Sequence, residues 1–273
     1  MFDLMTRAKN AIEAYNTQLR INSANIANMS TPGYKTIKVS FQTIFERIIN
    51  GGTAAQDQLG GTNPMQLGGN VGISGTSLDF SQGSIAEGDS LSLAINGSGL
   101  FAVSPDDGNT IVYTRTGKFQ LDSAGNLVTD NGMLVYGLRG GSLQPITGLN
   151  IYNPDLLSWT SDGRLVEYTD ATFSVVNRET GFSAALTTFN NRAGLAQSFG
   201  NTFVETEASG TAQTFQTTGG SFGTVIPRSI EQSNVFFTGE TIDAQEAQRA
   251  MSGNLSMLKM ISDEITNFIN KIS

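Results

Sequence analysis

Two residue types are missing from this 273-residue chain, which contains no cysteine and no histidine. Their absence removes the usual ligands of zinc and iron, the imidazole general base and the thiolate nucleophile. We therefore expect no metal, no cofactor and no catalytic residue, so that the protein is not an enzyme. A chain without thiols is also suited to export into an oxidising compartment, although the absence alone does not establish export.

Basic residues and long apolar runs are also scarce. The chain has 16 Lys and Arg against 24 Asp and Glu, giving a formal net charge of −8, so it lacks the surplus of cations that phosphate contacts require. No stretch approaches the roughly 18 apolar residues that span a bilayer. Asp3, Arg7 and Lys9 interrupt the first residues, where a cleavable signal peptide would be apolar. We expect no nucleic-acid binding, no membrane insertion and no cleaved signal peptide.

Apolar side chains recur every three or four residues near both ends of the chain. In the N-terminal segment this spacing connects Met5, Ala8, Ile12, Tyr15, Leu19, Asn22, Ile26 and Met29. In the C-terminal segment it connects Ala244, Ala247, Met251, Asn254, Leu258, Ile261, Ile265, Phe268 and Ile272. This spacing predicts two long helices that pack on each other as a coiled coil, with one asparagine in each seam to fix the register. Alternatively, the helices cover an apolar face of the middle domain.

Exposed apolar surface beside a two-helix seam favours association with further copies of the chain. We predict that eight residues form this assembly seam, namely Ile12, Tyr15, Leu19, Ile26, Leu258, Ile261, Ile265 and Phe268. The first helix should stop within residues 30–33, where Pro32 and Gly33 disfavour helix. The second should begin with Thr238 or Thr241 as its cap. Residues 41–49 are compatible with a short helix, and residues 51–61 with a glycine-rich linker.

From about Leu91 onwards the apolar period changes from that of a helix to the alternation of a strand, with glycine-rich turns between short apolar segments. This pattern predicts an all-β middle domain. Its carboxylate pairs are Asp106 with Asp107 and Glu205 with Glu207, and we interpret them as turn residues and solvated charge. The predicted class is α+β: a discontinuous coiled-coil domain (1–35 and 231–273), a connector (36–70) and a β-rich middle domain (71–230).

Short motifs in this chain resemble those of the bacterial flagellar rod and hook proteins. The most specific is the helix end and turn at residues 23–35, which closes with Thr-Pro-Gly-Tyr-Lys. Further blocks with the same resemblance lie at residues 79–84, 93–101, 113–119, 125–128, 233–235 and 246–250. The resemblance covers both termini and the chain up to about residue 138, while residues 140–200 match weakly.

The resemblance implies a self-assembling axial subunit whose terminal helices form a tube around an export channel. It implies that Asn28, Pro32, Gly33 and Tyr34 form the turn that leaves the first helix. It further implies other rod and hook proteins and the type III export apparatus as partners, and a location in the basal body, from periplasm to cell exterior. Length and the long segment after Lys35 favour the distal rod, with the hook as the alternative.

One alternative from another class of protein remains, and a second fails for lack of the residues it needs. A secreted carbohydrate-binding or adhesin module would use the glycine-rich β domain for recognition, but the terminal motifs speak against it. A periplasmic hydrolase that opens the cell wall would need histidine, cysteine or a convincing carboxylate pair.

Overall fold

A computed structural model describes residues 2–50, 52, 54, 61–63, 65–106, 108–217 and 222–272. The chain divides into two compact units, each of which is built from segments that are separate in the sequence. The helical unit comprises Met1–Ile26, Ile37–Ser77 and Phe236–Ser273, and the β unit comprises Ala27–Thr36 and Leu78–Val235. The predicted α+β class is confirmed. The sequence-derived domain limits, which place residues 36–70 in a separate connector, stay a prediction.

Two long helices lie in the helical unit, α1 (Phe2–Ala27) and α2 (Phe237–Ile272). At 1.5 Å per residue, the 36 residues of α2 extend over about 54 Å. The prediction that α1 stops within residues 30–33 is wrong by about one turn, because residues 28–33 form turns instead. Neither threonine caps α2: Thr238 lies inside it, and the Thr241 hydroxyl donates to the carbonyl of Phe237 at 2.8 Å within the helix.

The helical unit also contains a two-stranded sheet formed by β1 (Ile37–Asn50) and β2 (Met65–Leu78). The short helix predicted at residues 41–49 is therefore wrong. Ile37, Val39 and Phe41 alternate with polar residues, and β-branched and aromatic side chains favour the extended backbone that the structure has here. Of the linker predicted at residues 51–61, only residues 52, 54 and 61 are described; the others lie outside the described residues.

Short antiparallel strands build the β unit, as the alternating pattern predicted. They are β3 (Ile85–Glu87), β4 (Leu93–Asn96), β5 (Leu100–Ser104), β6 (Val112–Thr114), β7 (Phe119–Leu121), β8 (Leu127–Thr129), β9 (Leu134–Arg139), β10 (Ser142–Pro145), β11 (Leu157–Trp159), β12 (Arg164–Tyr168), β13 (Val176–Ala184), β14 (Leu186–Thr187), β15 (Ala196–Ser198), β16 (Thr202–Val204), β17 (Thr224–Pro227) and β18 (Ser229–Glu231). Single 3-10 turns at Leu149–Ile151, Pro154–Leu156 and Arg192–Gly194 interrupt them, so the unit is not purely β.

The main sheet of the β unit follows the order β11-β12-β13-β9-β5-β6-β16-β15, and further strands join it at β5, β8 and β9. Two separate pairs, β17 with β4 and β18 with β3, bring late residues of the chain beside early ones. Trp159, Leu165 and Leu186 are among the fully buried side chains of the core. The indole N–H of Trp159 donates to the carbonyl of Leu91 at 2.8 Å, which satisfies its polar atom inside the core.

Candidate functional site: the motif junction and the helical seam

The turn that follows α1 belongs to the β unit and has a locally closed geometry. The N–H of Thr31 donates to the carbonyl of Asn28 at 3.1 Å, and the Thr31 hydroxyl donates to the Asn28 side-chain oxygen at 3.2 Å. Gly33 has φ +70°, and a Cβ at this position would lie 2.5 Å from the backbone nitrogen of Thr116. Backbone conformation and close approach therefore both require glycine here.

Hydrogen bonds fix this turn to distant parts of the β unit. The carbonyl of Pro32 accepts from the Thr116 hydroxyl at 2.6 Å and from the Asn201 amide at 3.0 Å. The N–H of Gly33 donates to the carbonyl of Glu231 at 2.8 Å. Tyr34 is buried, and its carbonyl accepts from the N–H of Asn234 at 3.4 Å. The predicted turn residues thus connect the N-terminal segment with the C-terminal one.

Directly after the turn, Lys35, Arg115 and Glu231 form a buried ion cluster. Their side chains are 1%, 4% and 0% exposed, respectively. Lys35 Nζ lies 2.7 Å from Glu231 Oε1 and 2.7 Å from the carbonyl oxygen of Ser81. Arg115 Nε donates to Glu231 Oε2, while Oε1 also accepts from the N–H of Gly83 at 2.8 Å. One carboxylate thus contacts two buried cations.

Backbone carbonyl groups surround the remaining donors of Arg115. The guanidinium donates to the carbonyls of Ile95 and Gly97 at 2.8 and 2.7 Å, and also to that of Gly99. The side-chain oxygen of Gln82 accepts from it at 3.0 Å. These contacts replace the water that burial removes, as a buried charge requires.

The pKa shifts in the buried ion cluster have opposing causes. Burial and, more weakly, the charge of Arg115 lower the pKa of the Lys35 ammonium, while its hydrogen bond with Glu231 and the charges of Glu231 and Asp79 oppose the decrease. Burial likewise lowers the pKa of Arg115, against the attraction of Glu231. Because both cations bond to the carboxylate, we take both as charged. Removing one partner from such a buried pair costs about 3–5 kcal/mol.

Asn234 completes what we call the motif junction, the region where residues 32–36, 79–83, 95–99, 115–116 and 231–234 meet. Its side-chain oxygen accepts from both the N–H and the hydroxyl of Thr36 at 2.8 Å, and its amide donates to the carbonyl of Asp79 at 2.8 Å. Most of these residues lie in the motifs that the sequence singles out. Glu231 does not, since a lone acidic residue before residues 233–235 carries no local signal.

A second hydrogen-bonded junction lies within the helical unit, at Asn25. This residue is fully buried; its amide donates to the carbonyl of Ile37 at 3.0 Å and to Glu240 Oε2 at 3.1 Å, and its oxygen accepts from the N–H of Ile37 at 3.1 Å. It therefore connects the last turn of α1, the start of β1 and the first turn of α2. Burial raises the pKa of Glu240, and the Asn25 hydrogen bond opposes that increase.

Most of the predicted seam residues lie at half-buried positions on the two helices. These are Ile12, Tyr15, Leu19, Ile26, Leu258, Ile261 and Ile265. Phe268, in contrast, is 58% exposed. The two seam asparagines also differ: Asn22 is buried, whereas the half-buried Asn254 donates to the carbonyl of Ala250 in its own helix at 2.9 Å. The role of the seam in assembly stays a prediction.

The face of α1 that is removed from solvent is wider than its seam. Ala11 and Ala14, which lie outside the seam, are buried. The ring centroids of Tyr15 and Phe41 are 5.7 Å apart, so α1 packs against the two-stranded sheet as well as meeting α2 at Asn25. This second contact surface was not expected. It does not establish knobs-into-holes packing between the two helices, so the coiled-coil geometry remains a prediction.

In each carboxylate pair considered from the sequence, one member accepts hydrogen bonds from neighbouring residues. Asp106 accepts from the N–H of Thr110 at 2.8 Å, and the hydrogen bonds from Thr110 lower its pKa; Asp107 lies outside the described residues. Glu205 accepts from the Tyr113 hydroxyl at 2.6 Å, while Glu207 is exposed.

Within the described ranges, no three His, Cys, Asp or Glu residues are grouped in a way that would hold a metal ion. No helix there has the length and apolar character needed to cross a membrane.

Two family models match the chain in regions that contain these features. The model described as "Flagella basal body rod protein" matches residues 6–35, which include most of α1 and its exit turn. The model described as "Flagellar hook protein FlgE/F/G D1 domain" matches residues 94–174, which include Arg115 and much of the main sheet.

Relatives with established names extend the match over nearly the whole chain. The flagellar basal-body rod protein FlgG of Bacillus subtilis is 34% identical over 259 residues, covering 92% of this chain and 91% of the relative. The FlgG of Buchnera aphidicola (subspecies Baizongia pistaciae) is 31% identical, with 92% of each chain covered. The flagellar hook protein FlgE of Helicobacter pylori is 41% identical over 136 residues, covering 49% of this chain but 19% of that protein. This chain belongs to the family of bacterial flagellar rod and hook proteins.

Proposed function

We propose that this protein is a structural subunit of the flagellar basal body that polymerises into the tubular rod, transmits torque and encloses the export channel. The observation that carries the proposal is the extent of the match with the rod proteins, which covers 92% of this chain and 91% of the Bacillus subtilis protein. The match with the Helicobacter pylori hook protein covers only 19% of that protein, which favours the rod over the hook.

The helical unit supplies the surface for polymerisation in this proposal. Helix α2 carries large apolar side chains that the monomer leaves in contact with water, among them Leu255 (48% exposed), Met260 (66%) and Phe268 (58%). Surfaces of this kind favour association. The eight predicted seam residues and their exposed neighbours would then hold copies of the chain together in a helical tube.

The remaining expectations belong to the same proposal. The partners would be further copies of this chain, other rod and hook proteins and the type III export apparatus. The location would be the basal body, from the periplasm to the cell exterior. Since the residue types needed for common catalysis are absent, we propose a mechanical role without an active site.

Electron microscopy of the purified protein, polymerised at high concentration, tests the proposal. Straight tubes with a central channel are expected from a rod subunit. Curved or supercoiled tubes would favour the hook subunit, and a protein that stays monomeric over the accessible concentration range would contradict self-assembly. Binding of a defined peptidoglycan or glycan by the monomer, in the absence of tubes, would instead support the secreted recognition module.

A further inference from the structure

The buried ion cluster joins residues that are far apart in the chain. Glu231 follows Lys35 by 196 positions and Arg115 by 116 positions. All three side chains are at most 4% exposed, and Glu231 is the carboxylate that both cations contact. The charges that the β unit buries early in its sequence are therefore compensated by a residue near its end.

This order has a consequence for folding. If the segment around Glu231 is absent from the fold, closing the β unit would bury Lys35 and Arg115 without their shared anion. Burial of unpaired charge is strongly unfavourable. The same late segment also pairs β18 with β3 and places Asn234 on Thr36 and Asp79, so its arrival satisfies several groups together.

We propose that Glu231 is a closing residue: the β unit does not fold stably until the C-terminal segment brings this carboxylate to the motif junction. A chain made from its N-terminus presents this residue last among the three. The biological use rests on the proposed function: if the export apparatus passes the chain through a narrow channel, the β unit must stay open until most of the chain has passed. The folding behaviour itself does not depend on that function.

Trp159 provides a direct probe of this step in the full-length protein. It is the only tryptophan in the chain, and it is buried in β11 of the β unit. Stopped-flow fluorescence after urea dilution and urea addition would give refolding and unfolding rates for the wild type and for Glu231→Gln. We expect the variant to refold at least about tenfold more slowly, with its unfolding rate changed less than about threefold, as for a contact already formed in the transition state.

Two control variants show whether slower refolding results from the loss of Glu231 in particular or from the loss of any charged group. Glu179→Gln removes a carboxylate that is 62% exposed and pairs with Arg164 at 3.3 Å, so both rates should stay within about twofold of wild type. Lys35→Met removes the second cation while leaving the Arg115–Glu231 pair intact. It should therefore slow refolding much less than Glu231→Gln does.

Three results would overturn the proposal. The first is a Glu231→Gln variant with an unchanged refolding rate and faster unfolding, which would mean that the cluster forms after the folding barrier. Both rates could stay at the wild-type values, or Lys35→Met could slow refolding as much as Glu231→Gln does. If Glu231→Gln does not refold, Glu231→Asp replaces it: slower refolding supports the proposal, and wild-type refolding contradicts it. Because these rates are measured on the monomer, their outcome is independent of whether tubes form.

Discussion

The two units of this protein differ in which side chains a single chain leaves exposed to water. In the β unit, even charged groups are buried with partners: Lys35, Arg115 and Glu231 have nearly no contact with water. In the helical unit, by contrast, Met260, Phe268 and Ile269 on α2 are each more than half exposed. The β unit also leaves Ile151, Val175 and Phe199 exposed, but the exposed apolar residues of the helical unit recur along one helix, α2. We therefore propose α2 as the surface that further copies of the chain cover.

The largest expected effect comes from a charge in the predicted seam. Leu258→Asp places a carboxylate at a half-buried apolar position of α2, and we expect it to abolish polymerisation while leaving the Trp159 unfolding transition unchanged. Sedimentation and electron microscopy measure the first effect, and fluorescence in urea measures the second. Ser256→Asp, at an exposed position of the same helix, is the control and should still polymerise. Wild-type polymers of Leu258→Asp would argue against the seam.

The next largest effect is expected in the β unit, at Gly33. Gly33→Ala forces a side chain against Thr116 and into a left-handed backbone conformation, so we expect a loss of more than about 2 kcal/mol of unfolding free energy. Gly132→Ala shares the positive φ but has nothing within 4 Å of its Cβ, so it should lose only about 1–2 kcal/mol. Urea titration monitored by Trp159 compares them, and equal losses would contradict the role of close approach at Gly33.

Asn25 offers a smaller change in the helical unit. Asn25→Ala leaves the N–H and carbonyl of Ile37 and the carboxylate of Glu240 without their partner, which should cost about 1–3 kcal/mol. The expected signature is faster hydrogen exchange at the start of β1 and in the first turn of α2, with the strands of the β unit unaffected. Asn16→Ala, at an exposed position of α1, serves as the control. Unchanged exchange at Ile37 would show that the junction is dispensable.

The smallest expected effect is the pH dependence of the same junction. Because burial raises the pKa of Glu240 in the folded protein, the folded state binds the proton more readily than the unfolded state does. This group therefore adds stability to the helical unit as the pH falls through its raised pKa, and that contribution is lost as the pH rises again. Glu240→Gln should flatten the dependence of the helical urea midpoint between pH 4 and pH 7, measured by circular dichroism. An identical pH dependence in the two proteins would be inconsistent with this assignment.

Local patterns in the sequence were sufficient for much of this architecture. The three- and four-residue spacing predicted both α1 and α2, and the alternation after Leu91 predicted the β unit, because these periods reflect which face is buried. The spacing could not reveal that α1 also packs on the two-stranded sheet through Tyr15 and Phe41. The strand at residues 37–50 was missed because the apolar residues near its end also fit a helical period.

The parts of the candidate site that escaped prediction depend on contacts between distant residues. Helix α1 ends at Ala27, before Pro32, where the chain enters a turn held by Thr116, Asn201 and Glu231. The resemblance singled out the turn itself but gave no indication of these partners. Glu231 has no local pattern around it, and its role becomes visible only when Lys35 and Arg115 are seen on its two oxygens.

Hydrogen exchange of monomer and polymer, compared residue by residue, tests the central contrast most directly. We expect polymerisation to protect the amides of α2 from Leu255 to Ile269 by a large factor, while the amides of β4 and β5 in the β unit exchange at similar rates in both states. Equal gains in protection in both regions, or gains confined to the β unit, would contradict the proposal that assembly covers the helical unit.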